Sequence, residues 1–384
     1  MQRRSFLYTS ASLALAQVAQ SAPQAKSTEQ GVKEQWKNRQ PGMAYRRFGR
    51  SGMMISEVVS GGDPIRSPNY QHLGLALEMG MNYFDMAPAY GRGDCEIAYG
   101  KFLGTDSAKR DKVFLATKVS GLQDIRNRLY KGIFDGLPEE KKSAILKRVD
   151  DMKRERMVDK PGYFVDYYPG QRNQIAPAYL ANAMMQDYAN KVEGSKQYRE
   201  FIITSIEGSL KRIGADSFDV LHCPHGACTT EELDIPEIYE TFAELRKQGK
   251  VRFLGVTTHT DPAAILRKAT ALGFYDVVQG AYNIVNAGYM DQALQEAHAK
   301  GVGFIGMKVA MAVATHHKAL QPVPQWRIDK INRIVPGDMK PPLKAYMWAL
   351  QNPNVSAVVS NLWDETHVRE NLGCAGKKLE LQPA

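Results

Sequence analysis

The chain has 384 residues, of which 43% are hydrophobic, and it carries a formal net charge of +9. That length permits one large domain or two ordinary ones around a substantial core. No uninterrupted apolar run reaches the roughly 18 residues that a membrane-spanning helix needs. The basic residues are interleaved with acidic ones and form no aromatic-rich basic stripe, so a nucleic-acid-binding protein is not indicated either.

The cysteines do not form a metal-binding or redox pattern. They are Cys95, Cys223, Cys228 and Cys374, and no pair has the C-x-x-C spacing of a zinc site, an iron-sulfur cluster or a redox dithiol. We interpret them as structural thiols and predict no metal site.

The amino terminus has the pattern of an export signal. Arg3 and Arg4 precede a modest apolar stretch from Ala11 to Ala19, and small residues follow up to Ala25. This resembles a twin-arginine signal peptide over residues 1–25 and predicts a periplasmic protein, or a cytoplasmic one if the leader is not functional. The polar segment 26–43 is predicted to be a linker, and residues 376–384 a tail.

Between these ends, short β-rich runs alternate with amphipathic helical segments. The predicted strands are the run ending at Gly61, then Met81–Asp85, Lys112–Lys118, a run from Phe218, Val251–Val256, Tyr275–Tyr282, Gly301–Lys308 and Val355–Ser360. Eight strands with helical crossovers predict an α/β fold, a closed (β/α)8 TIM barrel over residues 44–375. An open doubly wound sheet is disfavoured because no Gly-rich phosphate motif follows the first strand.

A long insertion interrupts this alternation after the third strand. Residues 122–198 are rich in charged residues and tyrosine, with a helical stretch at Glu139–Arg156 and a tyrosine patch at Tyr163–Gly170. A loop of that length needs its own structure, and its position places it on the barrel face where the strands end. We predict a lid or a substrate-specificity element, with an oligomer contact as the alternative.

Residues suited to proton chemistry lie where these strands end. Asp85, Tyr90 and Lys118 follow or end the second and third strands, and histidines follow the fourth. An ammonium near a phenol favours the phenolate and lowers the phenol pKa from its usual value near 10. We therefore expect Asp85 to hold Lys118 charged, and Tyr90 to protonate a carbonyl oxygen while a hydride reaches the carbon.

At this point the chain resembles the aldo-keto reductase family, from about Ala44 to Gly373 apart from the insertion. The matching motifs are FGRSGMMISEVVSGG, FDMAPAYGRGDCEIAYGKFLG, FLATKV, SLKRIGADSFD, RKQGKVRFLGVTTHT, VVQGAYN and ALQNPNVSAVVSNLWDETHVRENL. The resemblance implies a barrel that binds NADP or NAD without a Rossmann fold. It also implies a catalytic tetrad of Asp85, Tyr90, Lys118 and a histidine.

Further positions of the family motifs imply cofactor contacts. Thr257, Thr258 and His259 match carboxamide-side and substrate-pocket residues, Gln279 matches the nicotinamide-amide contact, and Tyr282 matches the ring-stacking aromatic. Lys308 follows the seventh strand, and the adenosine end is matched by Ser360, Asn361, Glu370 and Asn371.

The histidine of the tetrad departs from the family pattern. The family places it five residues after the aspartate of the fourth strand, but that aspartate is Asp219 and the fifth residue is Pro224. Strand parity favours His222, whereas the strand end and Gly226 favour His225. We prefer His225 and keep His222 as the alternative.

The resemblance predicts an NAD(P)-dependent oxidoreductase for an aldehyde, a ketone or a sugar. Asp364 near the adenosine end disfavours a 2'-phosphate and Arg369 favours one, so the choice between NAD and NADP stays open. The alternatives are a non-catalytic cofactor-binding or regulatory barrel, and a sugar-modifying enzyme with tightly held NAD. The expected partner is a small carbonyl or sugar substrate; the oligomeric state is left open.

Overall fold

The computed structural model describes residues 32–105, 107–160, 164–192, 194–315 and 321–383. The predicted signal peptide, the first part of the predicted linker, and Tyr163 of the tyrosine patch lie outside these residues. Within these ranges, no helix combines the length and the apolar character needed to cross a bilayer.

A small sheet precedes the barrel. It consists of β1 (Gln35–Trp36), β2 (Tyr45–Arg47) and β3 (Met53–Ser56), with β3 in the middle. β2 and β3 pair in antiparallel fashion. β1 pairs in parallel with Met53 and Met54, so the segment 26–43 is not a linker throughout.

The main sheet is a closed barrel of eight parallel strands. The strands are β4 (Val58–Gly61), β5 (Tyr83–Asp85), β6 (Phe114–Lys118), β7 (Phe218–His222), β8 (Val251–Thr258), β9 (Val277–Ala281), β10 (Gly303–Met307) and β11 (Ala357–Asn361). Their order around the barrel follows the chain, and β11 pairs with β4. The predicted (β/α)8 fold is confirmed.

Helices form the crossovers and surround the barrel. They are α1 (Leu73–Glu78), α2 (Asp94–Leu103), α3 (Ser107–Arg110), α4 (Leu122–Asp135), α5 (Glu139–Glu155), α6 (Ile175–Tyr188), α7 (Lys196–Ile213), α8 (Pro236–Lys247), α9 (Pro262–Leu272), α10 (Ala287–Ala299), α11 (Gln325–Ile334), α12 (Pro341–Leu350) and α13 (Glu365–Leu372). The predicted insertion contains α4, α5 and α6.

Local sequence explains several helix starts. The side chains of Ser195, Asp261 and Asp364 each accept a hydrogen bond from a backbone N–H in the first turn of α7, α9 and α13. These are the residue types that satisfy the unpaired N–H groups of a helix start. The capping residues therefore set where each crossover helix begins relative to the strand before it.

The barrel interior is filled by alternate residues of the strands. Tyr83, Phe114, Val220, Val277 and Ile305 belong to one buried cluster inside the barrel. A second, larger cluster lies between the strands and the helices. Because successive side chains of a strand point to opposite faces, each strand contributes to both clusters.

The amino-terminal sheet closes the lower end of the barrel. Phe48 is fully buried and its ring meets that of Tyr83 edge-on, with centroids 5.8 Å apart. A Cβ atom at position 303 would lie 2.5 Å from the Phe48 ring, so only glycine fits at Gly303. With this end closed, small molecules can enter only where the strands terminate.

The predicted tail packs on the body of the protein. The Gly376 N–H donates to Glu57 Oε2 at 2.6 Å, and the Gln382 N–H donates to the Ile334 carbonyl at 2.9 Å. Residues 376–382 are therefore held along the barrel's outer layer.

We expect Phe48→Ala to destabilise the protein by about 3–5 kcal/mol, because it removes a buried ring and leaves a cavity in the barrel floor. Urea unfolding followed by circular dichroism measures the change. Trp326→Ala, at a side chain that is 52% exposed, serves as the control. Equal urea-unfolding midpoints for the two variants would contradict the conclusion that the Phe48 ring fills the closed end of the barrel.

Candidate active site

A buried ion pair lies at the ends of two adjacent strands. Asp85 ends β5 and Lys118 ends β6, and each is 1% exposed. Lys118 Nζ donates to Asp85 Oδ1 and, at 2.9 Å, to the Met86 carbonyl. Gln279 Nε2 donates to the other carboxylate oxygen of Asp85 at 3.2 Å. The structure thus places Asp85 and Lys118 together, as the sequence predicts.

Tyr90 lies over this pair. It follows β5 in a loop where Gly91, Arg92 and Gly93 all have positive φ, a sharp turn that leads into α2. Lys118 Nζ is 4.8 Å from the centre of the Tyr90 ring. The half-buried phenol therefore faces the barrel mouth with the ammonium against its ring.

The expected lowering of the Tyr90 pKa is wrong for this structure. Burial raises the pKa of Tyr90 well above its usual value, and the charge of Asp85 raises it further. Burial of the phenol, which the sequence does not reveal, is the largest cause, and Asp85 raises the Tyr90 pKa as well as pairing with Lys118. Tyr90 is therefore a protonated phenol at neutral pH.

The two candidate histidines occupy different places. His222 ends β7 and is fully buried inside the barrel, beside Gly255 of β8. His225 lies three residues further on, after a cis peptide bond between Cys223 and Pro224. Its ring meets that of Tyr90 edge-on with centroids 5.9 Å apart, so His225 is the histidine that the structure brings to Tyr90.

Neighbouring residues hold His225 in place. Its Nδ1 atom is 2.7 Å from Ser120 Oγ, and its carbonyl accepts a hydrogen bond from Gln123 Nε2 at 2.5 Å. Sequence reasoning missed both residues, since small polar residues after a strand end are common. Burial and the charge of Lys118 lower the pKa of His225 well below its usual value.

The predicted carboxamide-side threonines have unequal positions. Thr257 lies beside Gln279 in the strand register, on the inner face of the barrel. Its Oγ1 atom accepts a hydrogen bond from the Gly226 N–H at 2.7 Å and so holds the loop that carries His225. Thr258 is the next residue and lies on the opposite, helix-facing side of β8, where it is buried. Thr258 is therefore not brought to the mouth.

Tyr282 is also not placed at the mouth, contrary to its predicted stacking role. Its ring stacks on that of Trp348 with centroids 5.1 Å apart, in the helical layer. Its hydroxyl donates to Asp291 Oδ1 at 2.9 Å and accepts from Asn352 Nδ2 at 3.0 Å. Strand parity explains the difference: Gln279 faces inward, so a residue three positions later faces outward.

Three of the four predicted adenosine-end residues form one group. Asn371 Nδ2 donates to Ser360 Oγ at 2.8 Å and lies 3.4 Å from the Asn361 carbonyl. Glu370 instead pairs with Lys340 on the surface, at 2.6 Å. The group lies at the end of β11 and the last turns of α13.

The insertion covers part of the mouth. Val165 and Tyr167 pack on Ala281 at the end of β9, and Asn283 Nδ2 donates to the Tyr167 hydroxyl at 2.8 Å. The next residue, Tyr168, meets the ring of His259 edge-on with centroids 5.5 Å apart. These contacts place the insertion on the face where the strands end; its role as a lid or specificity element stays a prediction.

Comparison with known proteins identifies the family. A sequence model of the Aldo/keto reductase family matches residues 66–382, most of the chain. The chain belongs to the aldo/keto reductase family.

Individual relatives of this aldo/keto reductase are distant. The chain is 24% identical to the aldo-keto reductase AMT2 of Alternaria alternata over 68% of its own length and 63% of that protein. It is 25% identical to L-galactose dehydrogenase of Arabidopsis thaliana over 47% of its length and 59% of that protein. The chain thus spans between about half and just under two thirds of the length of the curated relatives it matches.

Among solved structures, the holo form of the aldo-keto reductase AKR11C1 from Bacillus halodurans has the same fold. The TM-score is 0.57 at 17% identity, covering 88% of this chain and 92% of that one.

The mouth of this aldo/keto reductase fits the nicotinamide cofactor that the family implies. Gln279 Oε1 is buried and has no hydrogen-bond partner among the described residues. A buried amide oxygen without a partner is costly, and a carboxamide N–H would satisfy it. No described group of three or more His, Cys, Asp or Glu side chains is arranged to hold a metal ion.

We expect His225 to remain neutral at pH 6, because burial and Lys118 hold its pKa well below the usual value of about 6.5. The unfolded chain then binds a proton that the native state does not, so the His225 contribution to stability is lost as pH falls below about 6.5. NMR titration of labelled histidines, assigned with His225→Gln, measures the pKa, and the urea-unfolded protein is the reference. A native His225 that is half-protonated at or above pH 6.5 would contradict this account.

Proposed function

We propose that this protein is an NAD(P)-dependent oxidoreductase that exchanges hydride between a nicotinamide cofactor and a carbonyl or alcohol substrate, an aldehyde, a ketone or a sugar. The observation that carries the proposal is the position of Tyr90 between Lys118 and His225. A proton donor, a charge that stabilises its conjugate base and a second polar ring converge at one mouth.

Tyr90 is the proton donor to the carbonyl oxygen. Its raised pKa keeps the phenol protonated until the oxygen gains negative charge. Lys118 then stabilises the phenolate, since its ammonium lies against the ring. Asp85 keeps that ammonium in place and supplies the charge that makes it tolerable in a buried position.

His225 orients the carbonyl oxygen. When the Ser120 hydroxyl donates to Nδ1, the ring proton resides on Nε2, and that N–H can donate to the substrate oxygen. The lowered pKa keeps the imidazole neutral, so it acts as a hydrogen-bond donor without competing with Tyr90 for the role of acid.

The cofactor, when bound, supplies or accepts the hydride at the substrate carbon. Gln279 Oε1 would receive the carboxamide, and Ser360, Asn361 and Asn371 would hold the adenosine end. Asp364 is occupied in capping α13, and Arg369 lies 3.7 Å from Glu365. Neither residue favours one nucleotide, so both NAD and NADP remain in the proposal.

A second candidate function follows from the insertion. The contacts of Val165 and Tyr167 over the end of β9 would hinder exchange of a nicotinamide, which favours an enzyme that retains its cofactor and oxidises and re-reduces a sugar. A non-catalytic cofactor-binding barrel is the other alternative. Release of nucleotide on denaturing the purified protein would favour retention.

We expect Tyr90→Phe to lower kcat by about 10²–10⁴-fold, because the general acid is lost while the ring remains. Cofactor affinity, measured by fluorescence titration, should change little. Tyr239→Phe on α8, whose ring packs on Phe274 away from the mouth, is the matched control. Unchanged kcat in Tyr90→Phe would refute the assigned role, and cofactor binding by the wild type without turnover of any aldehyde, ketone or sugar tested would favour the non-catalytic barrel.

We also propose that the protein is exported in folded form through the twin-arginine route, on the pattern around Arg3 and Arg4. Replacing both arginines by lysine should keep the protein in the cytoplasm, because the pair is the recognised signal. Cell fractionation followed by immunoblotting measures this, with the unchanged leader as the control. Equal periplasmic amounts for both leaders would exclude this route.

A further inference from the structure

Lys308 occupies an unusual backbone position at the barrel mouth. It directly follows β10 with φ of +60°, a left-handed conformation that residues other than glycine rarely adopt. Asn283 Nδ2 lies 3.4 Å from its carbonyl oxygen and also donates to the Tyr167 hydroxyl of the insertion. Strained conformations of this kind persist where surrounding contacts impose them, often beside ligands.

The ammonium group of Lys308 has an aromatic neighbour but no ion-pair partner. Its Nζ atom lies 5.4 Å from the centre of the Tyr168 ring, and the edge of that ring meets His259. No carboxylate in the described parts of the chain is within ion-pair distance of it, although Asp63 is near enough to favour its charge. Lys118, by contrast, is fully paired with Asp85.

The charge of Lys308 reaches across the mouth to the reacting groups. Burial is the largest cause of the lowered pKa of His259, and the charge of Lys308 is the second. The same charge contributes to the lowered pKa of His225. His225 follows β7 and His259 follows β8. These two strands lie on the opposite side of the barrel opening from β11 and the adenosine-end group. Nζ lies on the side of the mouth where the Tyr168 ring approaches His259.

Burial lowers the pKa of Lys308 to about 8. The ammonium is accordingly still charged at neutral pH while partly shielded from water. A partly buried cation without a counter-ion gains most from binding an anion, since charge-assisted hydrogen bonds strengthen where water is excluded.

We propose that Lys308, backed by the Tyr168 ring, binds an anionic substituent of the carbonyl substrate, such as a carboxylate. The substrate class is then an acidic aldehyde, ketone or sugar. This inference rests on the proposed oxidoreductase function. A phosphate of the cofactor offers the same chemistry to Lys308; the position of Nζ against the Tyr168 ring, which in turn meets His259, favours the substrate.

The test compares two aldehydes that differ only in charge, 4-formylbenzoate and methyl 4-formylbenzoate. We expect the wild-type protein to reduce the acid with the higher kcat/KM. Lys308→Met should lower kcat/KM for the acid by about tenfold to hundredfold, the usual range for loss of one charge-assisted contact, and should leave the ester within about twofold. Lys131→Met, at an exposed lysine of α4, is the matched control and should behave as the wild type.

Binding measurements separate this inference from the proposed function. Calorimetry with 4-(hydroxymethyl)benzoate and its methyl ester, in the presence of NADP+ or NAD+, reports the charge preference even if neither aldehyde is reduced. Acid bound no tighter than ester by the wild type would overturn the proposal. A Lys308→Met variant that loses NADPH and NADH affinity tenfold, with equal losses for acid and ester, would assign Lys308 to the cofactor and overturn it too. Preferential acid binding without turnover would support the anion site while counting against the oxidoreductase.

Discussion

The buried ion pair between Asp85 and Lys118 is the interaction on which the site depends. Both charges are removed from water, and breaking such a pair by deleting one partner costs about 3–5 kcal/mol because the other charge is left uncompensated. The pair forms because β5 and β6 are neighbours: Asp85 is in register with Ala116, two residues before Lys118 on the same face of β6. Gln279 on β9 donates to the same carboxylate, so Asp85 gains this second hydrogen-bond partner only when the barrel is closed.

This pairing explains the protonation states at the mouth. Asp85 offsets the Lys118 charge near Tyr90, which leaves burial as the dominant influence and keeps the phenol protonated. His225 is neutral for the same reason of burial, aided by the nearby ammonium groups. The mouth therefore holds two uncharged hydrogen-bond donors, Tyr90 and His225, beside the ion pair of Asp85 and Lys118. Lys308 adds a charge to which no described residue is paired, which gives the mouth an affinity for anions.

Much of the fold follows from local sequence patterns. The alternation of β-rich runs and amphipathic helices predicts the closed barrel, and the strand ends predict where Asp85, Tyr90 and Lys118 converge. These succeed because strand direction and helix crossovers are determined by short-range periodicity. The sequence left the choice between His225 and His222 open, because neither histidine has the family's spacing from Asp219. Only the three-dimensional course of the loop after β7 shows that His225 lies beside Tyr90.

Other features of the site depend on long-range contacts that no local pattern encodes. The motif position predicts that Tyr282 stacks on the cofactor. Tyr282 lies three residues after Gln279, however, so it faces the other side of the sheet, outside the barrel. Thr257 supports a loop, a role that its motif does not reveal. The approach of the insertion to the mouth was expected from topology, but the specific contacts of Tyr167 and Tyr168 with β9 and His259 were not. The raised pKa of Tyr90 likewise depends on how deeply the mouth is buried.

A crystal structure with bound NADP+ or NAD+ would test this arrangement of the site most directly. We expect the carboxamide on Gln279 Oε1 and the reactive carbon of the nicotinamide facing a space bordered by Tyr90 and His225, with the Asp85–Lys118 pair intact. A nicotinamide bound away from Tyr90, or a nucleotide that leaves Gln279 without a partner, would contradict it.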